Sequence, residues 1–162
     1  MGALTQAELT RLLHYDPSTG VFVRKVRTCN KVKVGDVAGN ETSRGYRNIR
    51  VSGRLYQAHR LAWLYITGAW PEYEIDHIDN NKKNNAFANL RDVNRSINLQ
   101  NVRQARGDNK SGFLGVSAKN NKFIAQIKVF GKVIHLGYFP TPTAAHAAYL
   151  EEKRRLHVGC TI

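Results

Sequence analysis

Asp76 and His77 adjoin in the run Tyr73-Glu74-Ile75-Asp76-His77-Ile78-Asp79, and Asn89 follows twelve residues after His77, with Asn98 nine further on. The stretch between the two groups, residues 79–88, is polar and supplies no core of its own. Few folds let these side chains meet. The pattern predicts a strand over 74–78, a polar loop over 79–88, a return strand over 89–93 and a helix over 94–101, with Asn94 as its N-cap.

Upstream, Thr5 stands three residues before Glu8 as in a capping box, and Leu4, Leu9, Leu12 and Leu13 can share a face, which predicts a short helix over 4–14. Asp16-Pro17-Ser18-Thr19-Gly20 reads as a turn, and Val21-Phe22-Val23 opens strand-like material. The pieces 46–51 and 54–58 flank Ser52-Gly53, a tight hairpin turn. Arg44, Arg47, Arg50 and Arg54 are expected on the outward side of that ribbon, either as one basic strip lying along phosphates or as an ordinary solvent face. Residues 59–67 are expected to form a helix that buries Leu61, Trp63, Leu64 and Ile66 and is closed by Gly68.

The charge is unevenly placed. Residues 1–58 hold 10 Lys+Arg against 4 Asp+Glu, residues 59–102 hold 5 against 5, and residues 103–162 hold 10 against 3. The whole positive excess therefore flanks the Asp-His segment, as in a protein whose two arms hold a polyanion around a neutral centre. A charge bias serving solubility is the alternative. No apolar run approaches the roughly 18 residues needed to span a bilayer, and the amphipathic start predicts no leader peptide, so a cytoplasmic protein without membrane contact is expected. Cys29 and Cys160 lie far apart, outside any Cys-x-x-Cys pair, so no structural zinc is expected.

The ordered set from His59 to Asn101 resembles an HNH endonuclease motif of the phage and homing type. It comprises His59-Arg60, Ile75-Asp76-His77-Ile78-Asp79-Asn80, Asn84-Asn85, Asn89-Leu90-Arg91, and Asn98 with Asn101. The resemblance implies a ββα-metal core and one divalent cation, magnesium or manganese. Its ligands would be Asp76 and Asn98, hard oxygen donors of the kind such ions prefer. His77 would be the general base, since imidazole with a pKa near about 6.5 suits proton removal from water at neutral pH. Asn89 would bridge the hairpin and keep His77 facing the water. The last motif position, often histidine in this superfamily, is asparagine here. Arg60 either clamps a phosphate or, with His59, packs against the hairpin.

Residues 111–158 carry a second resemblance, to the Apetala-type DNA-binding domain. Its pieces are Gly115-Val116, Phe123-Ile124-Ala125-Gln126-Ile127, Leu136-Gly137-Tyr138-Phe139, and Thr143-Ala144-Ala145 followed by Ala147-Ala148-Tyr149. Independently, alternation predicts strands from 111, over 122–130 and over 132–139, with Phe123, Ala125, Ile127 and Val129 on one face. A helix over 141–157 would be capped by Thr141, with Pro142 at its first position. Ser117, Lys119, Gln126, Lys128 and His135 would occupy the free face, and these residues and Lys132 would meet DNA.

The expected organisation is an N-terminal helix and basic ribbon (1–58), a ββα-metal core (59–102), a linker (103–110) and a C-terminal three-stranded sheet on one helix (111–162), an α+β fold. The expected function is a metal-dependent endonuclease on double-stranded DNA, nicking as a monomer or cutting both strands as a homodimer. If phage-encoded, it would work in the host bacterial cytoplasm. A DNA-binding regulator with a silent HNH core and an RNA-directed enzyme are the competing classes.

Overall fold

The structure is a computed structural model that describes residues 3–161. It is α+β and divides into two compact units, Met1–Val93 and Asn94–Ile162.

In the first unit, α1 (Gln6–Leu12) is capped by Thr5, whose hydroxyl accepts from the Glu8 N–H at 3.2 Å. The helix ends two residues before the sequence suggests. Leu13–Asp16 is instead β1, which pairs antiparallel with β2 (Val21–Arg24) across the Asp16–Gly20 turn. The alternation of buried Leu13 and Tyr15 with exposed His14 suits a half-buried strand, and the ladder to β2 overrides the local helical period. β3 (Asn40–Glu41), β4 (Arg47–Val51) and β5 (Arg54–Gln57) form a second sheet. α2 (Ala58–Thr67) follows at once and ends on Gly68, whose φ of 79° supplies the left-handed cap. Its Leu61 and Leu64 are buried, but Ile66 is exposed, contrary to expectation, because it falls on the far side of a ten-residue helix. β6 (Glu74–His77) and β7 (Leu90–Val93) make the last hairpin of the unit. The core gathers Leu9, Leu13, Tyr15, Phe22, Ile49, Leu61, Leu64, Ile75 and Leu90 from every element but β3 and β5.

The four ribbon arginines do not make one strip. In β4 the side chains of Arg47, Ile49 and Val51 share a face with Arg54, the partner of Val51, whereas Arg50 lies opposite with Leu55. Strand side chains repeat every two residues, so arginines three apart must alternate faces. Arg44 precedes the strand, in the Thr42–Gly45 turn.

The second unit begins with α3 (Arg95–Gln100), capped by Asn94, whose Oδ1 accepts from the Ile97 N–H at 3.0 Å. β8 (Val116–Lys119), β9 (Lys122–Val129) and β10 (Lys132–Phe139) form an antiparallel sheet in the order β10-β9-β8, and α4 (Pro142–Leu156) packs on it. β8 starts at Val116, not near Ser111. Asn109 turns the preceding chain, its Oδ1 accepting from the Ser111 N–H at 2.8 Å and its Nδ2 donating to the Phe113 carbonyl at 3.0 Å. Gly115 must be glycine, since a Cβ there would lie 2.0 Å from the Tyr149 ring of α4. Ala125, Ile127, Ala145 and Tyr149 fill the interface between sheet and helix. Lys153 is buried too, its ammonium donating to the Val102 carbonyl.

On the other face of this sheet the register aligns Ser117 with Ile124, Lys119 with Lys122, Gln126 with His135, and Lys128 with Val133. Lys132 does not join them. It pairs with Val129, on the side of Ile127, because the two-residue turn at 130–131 sets the parity.

Candidate active site

Asp76 and His77 end β6, and both are buried. The mouth of their hairpin is closed by Asp92, which accepts from the backbone N–H groups of Glu72 at 2.7 Å and Tyr73 at 2.9 Å. Asp76 sits directly across the ladder from Arg91, and its Oδ2 accepts from Arg91 Nε at 2.9 Å and Nη2 at 2.7 Å. The charge-assisted, two-pronged contact fixes the carboxylate in a site where an unpaired charge would be costly.

His77 Nε2 lies 3.1 Å from Asn85 Oδ1. The Asn85 amide orientation follows from its Nδ2, which donates to the Lys83 carbonyl at 3.3 Å. An amide oxygen only accepts, so the neutral imidazole carries its proton on Nε2 and its lone pair on Nδ1. Burial lowers the His77 pKa below its ordinary value, more than the Asn85 contact and the Asp79 and Asp76 charges raise it. The ring is therefore neutral at physiological pH.

Asn85 is itself held from below. Its carbonyl accepts from the Tyr15 hydroxyl at 2.7 Å, and the Phe87 N–H donates to the Pro17 carbonyl at 2.9 Å. Gly20, with φ 74°, lets the N-terminal turn touch this loop: a Cβ there would be 2.2 Å from the Asn85 carbonyl carbon. Burial, aided by Asp16, raises the Tyr15 pKa, so its hydroxyl stays a donor.

Asn89 bridges the loop. Its Oδ1 accepts from the Asp79 N–H at 2.9 Å, and its Nδ2 donates to Asp79 Oδ1 at 2.9 Å and to the Asn84 carbonyl at 2.8 Å. Asn84 Nδ2 donates to Asp79 Oδ2 at 2.7 Å. Burial pushes the Asp79 carboxyl up, but these hydrogen bonds and that from the Asn81 N–H outweigh it and hold the pKa below normal.

Beside His77 stands His59 from α2, ring centroids 5.1 Å apart and edge-on, with the Tyr46 ring 5.4 Å from His59 and 6.2 Å from His77. His59 is 5% exposed, and its Nδ1 has no hydrogen-bond partner among the described residues. Desolvation first, then the neighbouring His77 and Arg60, lowers its pKa to about 3. Arg60 lies over the Trp70 ring at 5.9 Å and donates to the Tyr73 carbonyl at 3.3 Å, both contacts of packing at the entry to the hairpin. Arg47 approaches Glu41 at 3.9 Å, while Glu41 pairs closely with Lys83 at 2.6 Å. Arg50 Nη1 donates to the Gly53 carbonyl at 3.0 Å.

Of the residues singled out from sequence, Asp76, His77 and Asn89 lie on one hairpin, and Asn98 lies on α3 of the second unit. Asn85 and Arg91 stand in the motif with no role assigned from sequence, and Tyr15 and Gly20 were missed as contributors. Arg91 was legible, because pairing 74–78 with 89–93 end to end sets it near Asp76. The contacts of Tyr15 and Gly20 with Asn85 have no local signal.

Among the described residues no group of three or more His, Cys, Asp and Glu side chains converges as a metal cage. Asp76 offers a hard carboxylate oxygen, the donor type that divalent cations of the magnesium kind take. No helix of the described residues is long and apolar enough to cross a membrane.

No curated protein matches this sequence. A solved structure titled "DNA binding and cleavage by the HNH homing endonuclease I-HmuI" is similar at 21% identity and a TM-score of 0.44, over 91% of this chain and 88% of that one. The HNH endonuclease family model matches residues 56–100, which run from the end of β5 through α3 and hold the Asp76-His77 hairpin. That match stops short of residues 111–158 and gives their Apetala-type resemblance no support. Residues 56–100 thus make this a nuclease, a chain with an HNH endonuclease domain.

Proposed function

We propose that the chain is a metal-dependent DNA endonuclease of phage or homing type. The observation that carries this is the buried His77, held neutral with Nε2 on Asn85 and set next to Asp76 in the HNH hairpin. In this reading Nδ1 of His77 removes a proton from a water molecule, which attacks the phosphorus in line with the departing 3′ oxygen. The 3′ oxygen leaves with a proton from solvent, giving 5′-phosphate and 3′-hydroxyl ends. Asp76 and the amide oxygen of Asn98 would hold one magnesium or manganese ion. When bound, that ion neutralises the non-bridging and leaving oxygens. Asn89 keeps the loop closed so that His77 cannot swing away. Lys82 Nζ lies 4.9 Å from the Tyr46 ring and donates to the Arg44 carbonyl at 3.3 Å.

Arg44, Arg47, Arg50, Arg54 and Arg60 in the first unit, and Ser117, Lys119, Gln126, Lys128, Lys132 and His135 in the second, are proposed contacts to the duplex. The excess of 10 Lys+Arg over 3 Asp+Glu in residues 103–162 is what supports the second set. One HNH centre cuts one strand, so a monomer nicks and a homodimer cuts both.

The test is supercoiled plasmid incubated with the wild type or His77→Ala, with and without magnesium or manganese. Open-circle or linear product from the wild type alone, and only with metal, is expected. Equal inactivity of both proteins, with plasmid still retarded on a gel, would replace this reading with that of a DNA-binding regulator.

A further inference from the structure

Among the described residues three hairpins turn on two residues of positive φ: Ser52-Gly53 at 46° and 82°, Asn120-Asn121 at 49° and 58°, and Phe130-Gly131 at 46° and 83°. Such turns suit the right-handed twist of the strands and favour asparagine or glycine. Phenylalanine is the outlier, because a bulky L-residue is strained in the left-handed region.

The Phe130 ring gains nothing from the core in return. It is 81% exposed at the tip of β9–β10. Exposed Lys128 and Lys132 stand two residues away on either side. On the free face of the sheet Val133, opposite Lys128, is 63% exposed. Further along that face the rings of His135 and Tyr138 lie 4.9 Å apart, and Tyr138 is exposed. Residues 94–162 hold 11 Lys+Arg against 3 Asp+Glu. An apolar ring set in so cationic a surface suits a partner that is anionic outside and apolar within. Stacked base pairs behind a phosphate backbone have that character.

We infer that Phe130 is a wedge that enters between neighbouring base pairs of duplex DNA while Lys128 and Lys132 hold phosphates on either side. Apolar side chains at protruding tips can unstack and kink a duplex in this way. The inference takes its substrate from the endonuclease reading and adds where, and how, the second unit deforms it.

The test uses the full chain in EDTA, so that no cleavage intervenes. Relaxed closed-circular plasmid is treated with a topoisomerase in the presence of wild type or Phe130→Asn, then stripped of protein and its linking number read. Asparagine suits the turn, so this variant should melt at an equal or higher temperature. It is expected to bind about ten-fold more weakly and to leave the linking number unchanged, whereas the wild type lowers it. In parallel, the indole added by Phe130→Trp should be quenched by a short duplex and shielded from acrylamide. Equal unwinding by both proteins, or an indole as accessible on DNA as off it, would overturn the wedge. So would unaltered DNA binding by Phe130→Asn with a changed sedimentation coefficient, which would assign the tip to a second copy of this chain. A wild type that cuts plasmid with metal but does not unwind it sinks the wedge alone. A wild type that neither cuts nor binds DNA sinks the endonuclease reading as well.

Discussion

Arg91 grips the Asp76 carboxylate across the β6–β7 ladder, with Nε at 2.9 Å and Nη2 at 2.7 Å from the same oxygen. The carboxylate side chain is 9% exposed and the guanidinium 24%, so the pair is neither a surface contact nor fully desolvated. Removing Arg91 would take a charge-assisted partner from a nearly buried carboxylate. Arg91→Ala should therefore cost about 1–3 kcal/mol of stability in metal-free urea unfolding. Millimolar magnesium should restore part of that loss, because a cation on Asp76 replaces the lost charge. Unfolding curves of the variant that coincide with and without magnesium would remove Asp76 as a metal ligand.

Asn85 connects His77, the proposed base, to the N-terminal hairpin, so its substitution should separate orientation from binding. Asn85→Ala should lower the cleavage rate by about 100-fold through a misplaced imidazole, with DNA retardation unchanged. The wild-type rate should stay level down to a pH below the ordinary imidazole value, because burial holds His77 neutral there. Asn85→Asp puts a negative charge against Nε2 and favours the protonated ring, so the acid limb of the profile should move to higher pH. An acid limb at the same pH in wild type and Asn85→Asp would show that His77 is not the titrating base.

His59 should make the first unit sensitive to acid. Its folded pKa of about 3 lies below the unfolded value of 6.5. As pH falls past the unfolded value, only the unfolded chain takes up the proton. The stability associated with His59 is complete above that value and is lost progressively until pH reaches the folded one, at up to about 1.4 kcal/mol per pH unit. His59→Phe should flatten the pH dependence of urea unfolding over this window. Parallel wild-type and variant curves would mean that the ring is protonated in the folded protein.

Much of the local structure was legible because its causes are local. Thr5, Asn94 and Thr141 cap the helices that follow them, and Gly68 ends α2. The helix expected over 4–14 lost its end because Leu13 and Tyr15 satisfy a strand as well as a helix, and only β2 decides between them. The basic strip failed for a simpler reason. Spacing of three was read on a ribbon whose period is two.

The candidate centre was legible in the sequence alone, since Asp76, His77 and Asn89 and their intervals are written in one short stretch. The tertiary structure decided what those groups are like. It set Arg91 on Asp76, carried Tyr15 to a carbonyl 70 residues away, and packed His59 edge-on against His77. Proton affinity and orientation depend on desolvation and on partners brought together by packing, and no spacing along a chain contains either.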